Sequence, residues 1–347
     1  MENSAQPTHT QRAQPQPSDI LGEQPTLFDR SNCGQILLDG ADRVRFLHNQ
    51  TTNNIQQLQP NQGCHTVFVT STGRTIDLAS VYMLPEAILL SVSPNMAKTL
   101  YDWMDRYIFF SDKVTLKDKS EENFLLTLVG NNTDSIIETI GASNLIGKAT
   151  FSHDTFTLPE SNISVRIAVN SDLAIAGYTL VGNNSHKDTI IATLTNAGAT
   201  SGTIEQWEQL RIQQGYPQPA HELTEDDNPL EAGLWHSVSF EKGCYIGQET
   251  IARLNTYQGV KKRLWGILFN HTLPPKTIPI GTTLTHEGQK VGRLTSIAHT
   301  DSATFGLAYL RTKAGEAGLT VQINDIDAQI IALPFITHQY YSTDKTT

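Results

Sequence analysis

The sequence predicts a mixed α+β fold in more than one lobe, followed by a small β-rich module, and three observations carry that expectation. The 347 residues exceed what one compact core usually holds, so two or three domains are expected. Apolar runs in the first two thirds recur at both strand and helix spacing, without the sustained strand–helix alternation of a parallel doubly wound sheet. Beyond Gly259 the runs shorten and are punctuated by glycine and proline, which predicts a barrel or sandwich.

The elements follow in chain order. Met1 to about Gln24 is rich in Gln, Pro, Ser and Thr and reads as a disordered tail, bounded at 1–27. Residues 34–38 predict a strand ending at Asp39-Gly40, and 41–49 a helix with Val44, Phe46 and Leu47 on one face. Residues 64–70, 76–84 and 87–92 predict an antiparallel meander that first turns at Ser71-Thr72-Gly73. Ser93 reads as the cap, and Pro94 as the first residue, of a helix reaching about Tyr107.

A second cycle is expected from Asp112 to about Ala199, with strands near 114–116, 124–130, 163–169 and 174–181 and helices from Thr133 and Ser185. Thr203 with Gln206 predicts a capping box for a helix that ends at Gly215, before Pro217. The acidic run Glu222, Glu225, Asp226 and Asp227 reads as a solvated loop. Barrel strands are expected at 264–269, 282–285, 291–297, 304–310 and 328–333. The resulting domains are 28–258 in two lobes and 259–336 as the barrel, with 337–347 as a second tail.

Composition narrows the function. Hydrophobic residues make up 38% and no apolar run approaches the roughly 20 residues that span a bilayer, so no membrane partner is expected. A formal net charge of −10 argues against direct nucleic-acid binding, whose footprint is a basic face. The three cysteines, Cys33, Cys64 and Cys244, have neither paired spacing nor a metal-ligand pattern, so no metal is expected. The tail has neither an apolar leader nor an Arg-rich transit pattern, and a cytoplasmic location is the expectation.

Cys244 is the candidate chemical centre. Lys242 precedes it by two residues, and Gly247 opens a predicted helix from Gln248 to Leu254; a nearby cation and a helix start both favour a thiolate. Gly243 and Gly247 allow sharp turns or close approach to a flat ligand, and Gln248 offers a donor and an acceptor.

The segment Glu241-Lys242-Gly243-Cys244-Tyr245-Ile246-Gly247-Gln248-Glu249 is preceded by Asn228-Pro229-Leu230-Glu231-Ala232-Gly233-Leu234. Together they resemble the hallmark of YgfZ-type folate-binding proteins, relatives of the glycine-cleavage aminomethyltransferases. Leu38-Asp39-Gly40-Ala41-Asp42, Phe46-Leu47-His48-Asn49-Gln50-Thr51-Thr52, Ser71-Thr72-Gly73-Arg74 and Leu210-Arg211-Ile212-Gln213-Gln214-Gly215 extend the resemblance over about Phe28 to Phe335. The resemblance implies a three-lobed ring around a central folate channel, with tetrahydrofolate or a one-carbon derivative as ligand. It also implies support of iron–sulfur cluster assembly or repair, including enzymes that modify tRNA, through contact with iron–sulfur client or assembly proteins. A monomer or weak oligomer is expected.

Within that resemblance Cys244 and Asp77 are the candidates for chemistry. Arg211, Gln213, Glu231, Lys242, Tyr245 and Gln248 are the candidates for folate binding. Arg211, Arg253 and Lys261-Lys262-Arg263 would serve the anionic tail, and Asp77, Gln213 and Glu231 the pterin. Two departures disfavour aminomethyl transfer. Ile76 precedes Asp77 where the transferases carry an acid pair, and Gln213 stands where they place a glutamate that grips the pterin. A folate-free scaffold is the third reading.

Overall fold

The computed structural model describes residues 15–158 and 161–342. Its first lobe is a five-stranded antiparallel sheet in the order Gly63–Val69, Thr75–Met83, Ala87–Pro94, Cys33–Asp39, Thr115–Asp118. The meander appears as expected, and strand periodicity divides its residues between two faces. Ala79, Val81, Ile88 and Leu90 pack with Phe46 and Leu47 of the helix Arg43–Gln50 and with Leu100 and Met104 of the helix Ala97–Asp105. The alternate positions Ser80, Ser91 and Ser93 are left to face the interior of the molecule.

The expected helix at Ser93 starts later. The strand runs through Pro94, Asn95 takes a positive φ of 65°, and the helix begins at Ala97. Ser93 cannot cap because its amide and hydroxyl both donate to Asp77, at 2.9 and 2.6 Å. The strand Thr115–Asp118 also departs from expectation: it pairs with Cys33–Asp39 and so closes the first lobe instead of opening the second.

The second lobe is six-stranded, in the order Thr200–Ser201, Thr26–Asp29, Asn123–Val129, Gly177–Asn183, Ser164–Ala168, His153–Thr157. Helices Thr133–Thr139 and Lys187–Asn196 cover it through Ile136, Ile137, Ile190 and Leu194. Thr26–Asp29 begins inside the span expected to be a tail, and the short helix Ser18–Leu21, whose Ile20 is buried, lies wholly within it. Both edges of that four-residue strand are paired, which supplies the order its composition does not announce. The rest of the expected tail, residues 1–14, lies outside the described residues.

The C-terminal module is a closed barrel of six strands: Lys262–Phe269, Thr304–Arg311, Gln289–His299, Thr283–His286, Thr320–Ile323 and Ile326–Ile331. Thr320–Ile323 was not anticipated. The helix Ile204–Gln214 joins the lobes to the barrel, with the predicted capping box at Thr203 and Gln206 and with Gly215 in the left-handed region at φ 83°. Residues expected as a C-terminal tail pack back as well: Tyr340 meets Trp235 edge-on at 5.5 Å, and Tyr341 stacks on Phe240 at 5.1 Å.

The acidic run is only partly solvated. Glu225 and Asp226 are exposed, but Glu222 and Asp227 are wholly buried. Glu222 accepts from Arg211 and Ser296, and Asp227 pairs with Lys262 at 2.5 Å. The local pattern of acids gave no sign of cations that arrive from the helix and the barrel.

Candidate functional site

A cavity of about 680 Å³ lies where the inner face of the first sheet meets the loop after Thr26–Asp29 and the helix Ile204–Gln214. Its size falls within the range of small-molecule sites. Exposure gives it a direction. Ile204 (79% exposed) and the Asp29–Lys187 ion pair at 2.9 Å mark the mouth, whereas Arg30 (8%) and Asp172 (3%) belong to the buried end.

The wall has aromatic and hydroxyl surfaces together. Trp207 stands on the connecting helix with Phe28 edge-on at 5.3 Å, and Ser80, Ser91 and Ser93 line the opposite sheet. Ser80 and Ser91 are direct register partners on neighbouring strands, so their side chains share one face. This combination suits a flat, hydrogen-bonding ring, and the Lys187 mouth suits an anionic tail, so the residues present fit a reduced folate.

Asp172 organises the buried end. Its carboxylate accepts from Ser80 Oγ at 2.6 Å, Asn170 Nδ2 at 2.7 Å and Arg30 Nη1 at 2.8 Å, with His65 Nε2 at 3.3 Å. Burial alone would raise its pKa, but the His65 bond, the Arg30 charge and the Ser80 bond outweigh it and hold the carboxyl well below the usual range. Arg30 also lies over the Trp207 ring, 4.1 Å from its centroid. None of Arg30, Asp172 and Trp207 was singled out from sequence. The only local signal was three serines at alternate positions in otherwise apolar strands.

The residues that were singled out are distributed differently. Asp77 is wholly buried and accepts from the Ser93 amide and hydroxyl and from the Leu78 amide. Burial pushes its carboxyl up to about 7 against those bonds. Leu78 and Ser80 line the cavity; Asp77 lies behind that wall, bonded to the lining residue Ser93.

Arg211 reaches the cavity wall, but all five of its N–H donors are committed. They go to Glu208 (2.8 and 2.5 Å), Glu222 (3.0 Å), Ser296 Oγ (2.9 Å) and the Tyr216 carbonyl (2.9 Å). Gln213 lies two positions further along the same helix, roughly 200° around its axis. It lines a separate crevice of about 210 Å³ against the barrel, where its Nε2 is buried with no hydrogen-bond partner among the described residues. Glu231 is buried in the turn it closes, accepting from the Asn228 amide at 3.2 Å, and burial raises its pKa.

The Cys244 segment docks elsewhere. Lys242 Nζ is buried and donates to the carbonyls of His48, Thr51 and Asn53, and Tyr245 covers it at 4.8 Å. Burial lowers this ammonium to about 7, partly offset by Cys64, whose own thiol burial pushes up to about 12. The Lys242 ammonium is thus spent on the carbonyl cage. Gln248 Nε2 reaches the Lys242 and Gly243 carbonyls at 3.4 Å, and Cys244 itself is exposed. Gly247 caps the helix Gln248–Thr256 at φ 79°, and a Cβ there would lie 2.6 Å from the Thr70 carbonyl. The segment thus fastens onto the first lobe.

The other basic candidates also lie off the cavity. Arg253 lines an open groove with Tyr257, Lys262 pairs with Asp227, and Arg263 sits over the Tyr340 ring at 5.3 Å. Lys261 is exposed.

Comparison with known proteins adds family matches, relatives and a solved structure of similar fold. Residues 16–242 match the GCVT N-terminal domain family, and residues 261–333 match the CAF17 C-terminal beta-barrel domain. A chloroplastic Arabidopsis thaliana protein that bears a provisional transferase name is 40% identical over 90% of this chain and 72% of its own length. An aminomethyltransferase of Halothermothrix orenii is 27% identical over 89% of this chain and 88% of its own. The crystal structure of the glycine cleavage system aminomethyltransferase T from Bartonella henselae superposes with a TM-score of 0.79 at 17% identity, covering 94% of this chain and 90% of that one, a likeness of fold.

Proposed function

We propose that this chain, which belongs to the GCVT aminomethyltransferase-like superfamily and carries a CAF17-type C-terminal barrel, is a tetrahydrofolate-binding accessory protein that supports iron–sulfur cluster assembly or repair. The observation that carries the folate part is the cavity itself: an aromatic and hydroxyl-lined chamber with a cation at its mouth, in a superfamily whose aminomethyltransferases use tetrahydrofolate. Residues that would hold the ligand are Trp207, Arg30, Ser80, Ser91 and Ser93, with Lys187 toward its tail.

Aminomethyl transfer is the less favoured reading. Asp77, the acid expected to do that chemistry, is enclosed by Ser93 and Leu78 and does not line the cavity. A transferred group needs an acid or base within hydrogen-bond reach. The exposed Cys244, held on a rigid clasp, is better placed to meet a protein partner than the cavity ligand.

The iron–sulfur role, with tRNA-modifying enzymes among the clients, rests on the resemblance of residues 241–249 and on the CAF17-type barrel. A cytoplasmic location is part of the same proposal, and the chloroplastic name of the plant relative supplies the competing one. Calorimetric titration with tetrahydrofolate and its one-carbon derivatives tests the folate part: saturable binding is expected, and none leaves a folate-free scaffold. The activity of an iron–sulfur tRNA-modifying enzyme in cells lacking the protein tests the other part. Full client activity there sinks it.

A further inference from the structure

Arg30 differs from the other buried cations in having donors to spare. Its Nη1 donates to Asp172 at 2.8 Å and to Thr127 Oγ1 at 3.4 Å, and Nη2 donates to the Cys33 sulfur at 3.5 Å. A guanidinium carries five N–H donors, so Nε–H and one Nη2–H make no bond among the described residues. Donors of this kind are available to a ligand in the cavity that can accept from them. They belong to a residue that is more than nine-tenths buried and lines the cavity.

The surroundings select what that acceptor is. Asp172 neutralises the guanidinium and is held ionised by its other donors, so a carboxylate brought to the same place would meet a like charge at once. A neutral acceptor meets no such repulsion. The Trp207 ring on which Arg30 lies, with Phe28 at its edge, offers flat apolar surface beside these donors. Lys187, half-buried and paired with the more exposed Asp29, is at the opposite, open end, where water screens both charges.

We propose that Arg30 is the specificity-determining residue of the cavity, receiving the neutral amide edge of a pterin ring beside Trp207 and leaving the glutamate tail to the Lys187 mouth. The proposal rests on the folate reading and assigns ring recognition to Arg30 rather than to Gln213 or Arg211. The preceding loop supplies this residue through Asp29-Arg30-Ser31, whose turn is fixed by Asp29 accepting from the Ser31 amide and hydroxyl at 3.0 and 2.6 Å.

The test measures dissociation constants by calorimetry for tetrahydrofolate and for a tailless 6-methyltetrahydropterin. Arg30→Gln is combined with Asp172→Asn so that no buried charge is left unpaired, and thermal melting verifies folding. Trp207→Ala is the second variant and leaves the charge pair in place. We expect both variants to weaken both ligands by a similar factor, about tenfold to a hundredfold. A loss confined to tetrahydrofolate would put Arg30 on the tail and overturn the proposal, as would unchanged affinity in folded variants. Wild-type protein that binds neither ligand overturns the folate reading itself, an outcome distinct from wild-type binding that the variants leave intact.

Discussion

Arg30 and Arg211 are two buried arginines on the wall of one cavity, and they do opposite things. Arg211 is 2% exposed and spends every donor inside the protein, tying the connecting helix to Glu222 and to Ser296 of the barrel. Arg30 spends three of five among the described residues and lines the cavity. The difference teaches that burial and charge do not identify a binding residue. The account of the donors separates the two: a saturated guanidinium is a brace, and an unsaturated one on a cavity wall can still bind.

The largest expected effect follows from Arg211. Arg211→Ala leaves Glu222 buried without its cation, and we expect a loss of about 3–5 kcal/mol in urea unfolding. Tetrahydrofolate affinity of the folded fraction should stay within about twofold, because no donor is lost to the ligand. A selective loss of affinity with intact stability would exchange the roles of the two arginines.

Asp77 extends the contrast to carboxylates, since Asp172 is held ionised while burial favours the neutral form of Asp77. The folded pKa of Asp77, about 7, lies above the ordinary 3.8, so the folded chain binds the extra proton between those values. Its contribution to stability is therefore present at low pH and lost as pH rises from about 4 to about 7. We expect Asp77→Asn, which can still accept from Ser93, to remove about 2–4 kcal/mol of this pH dependence. Unfolding curves at pH 4.5 and 7.5 check it, and an equal slope in the variant would show the group ionised throughout.

Lys242 is a third buried cation, and its acceptors among the described residues are all neutral carbonyls. Lys242→Met strands the carbonyls of His48, Thr51 and Asn53, and a loss of about 1–3 kcal/mol is expected in the same unfolding experiment. Stability unchanged within about 0.5 kcal/mol would mean that water replaces the ammonium without cost.

The smallest expected effect is at Cys244. Cys244→Ala should shift stability by no more than about 0.5 kcal/mol, since the side chain is exposed. Iodoacetamide should nonetheless label it before Cys64, which burial pushes up to about 12, and before the buried Cys33. Slower labelling at Cys244 than at Cys64 would count against an accessible thiol on the clasp.

Local chemistry determined much of this fold without help from the rest of the chain. The α+β class, the meander from Gly63 to Pro94, the capping box at Thr203, the Gly215 stop and the barrel could be read because turns, caps and periodicity act over a few residues. The strand Thr26–Asp29 could not, because four residues carry too little pattern and its order comes from partners about 100 and 174 residues away. The family resemblance likewise led to the Cys244 segment, a contiguous motif that serves as a clasp on the first lobe. Arg30, Asp172 and Trp207 lie in three separate stretches, and no spacing relates them. Only tertiary packing sets Arg30 2.8 Å from Asp172 and 4.1 Å from the centre of the Trp207 ring, pairs charge with charge and leaves two donors open, because hydrogen-bond saturation is settled by contacts across the whole chain.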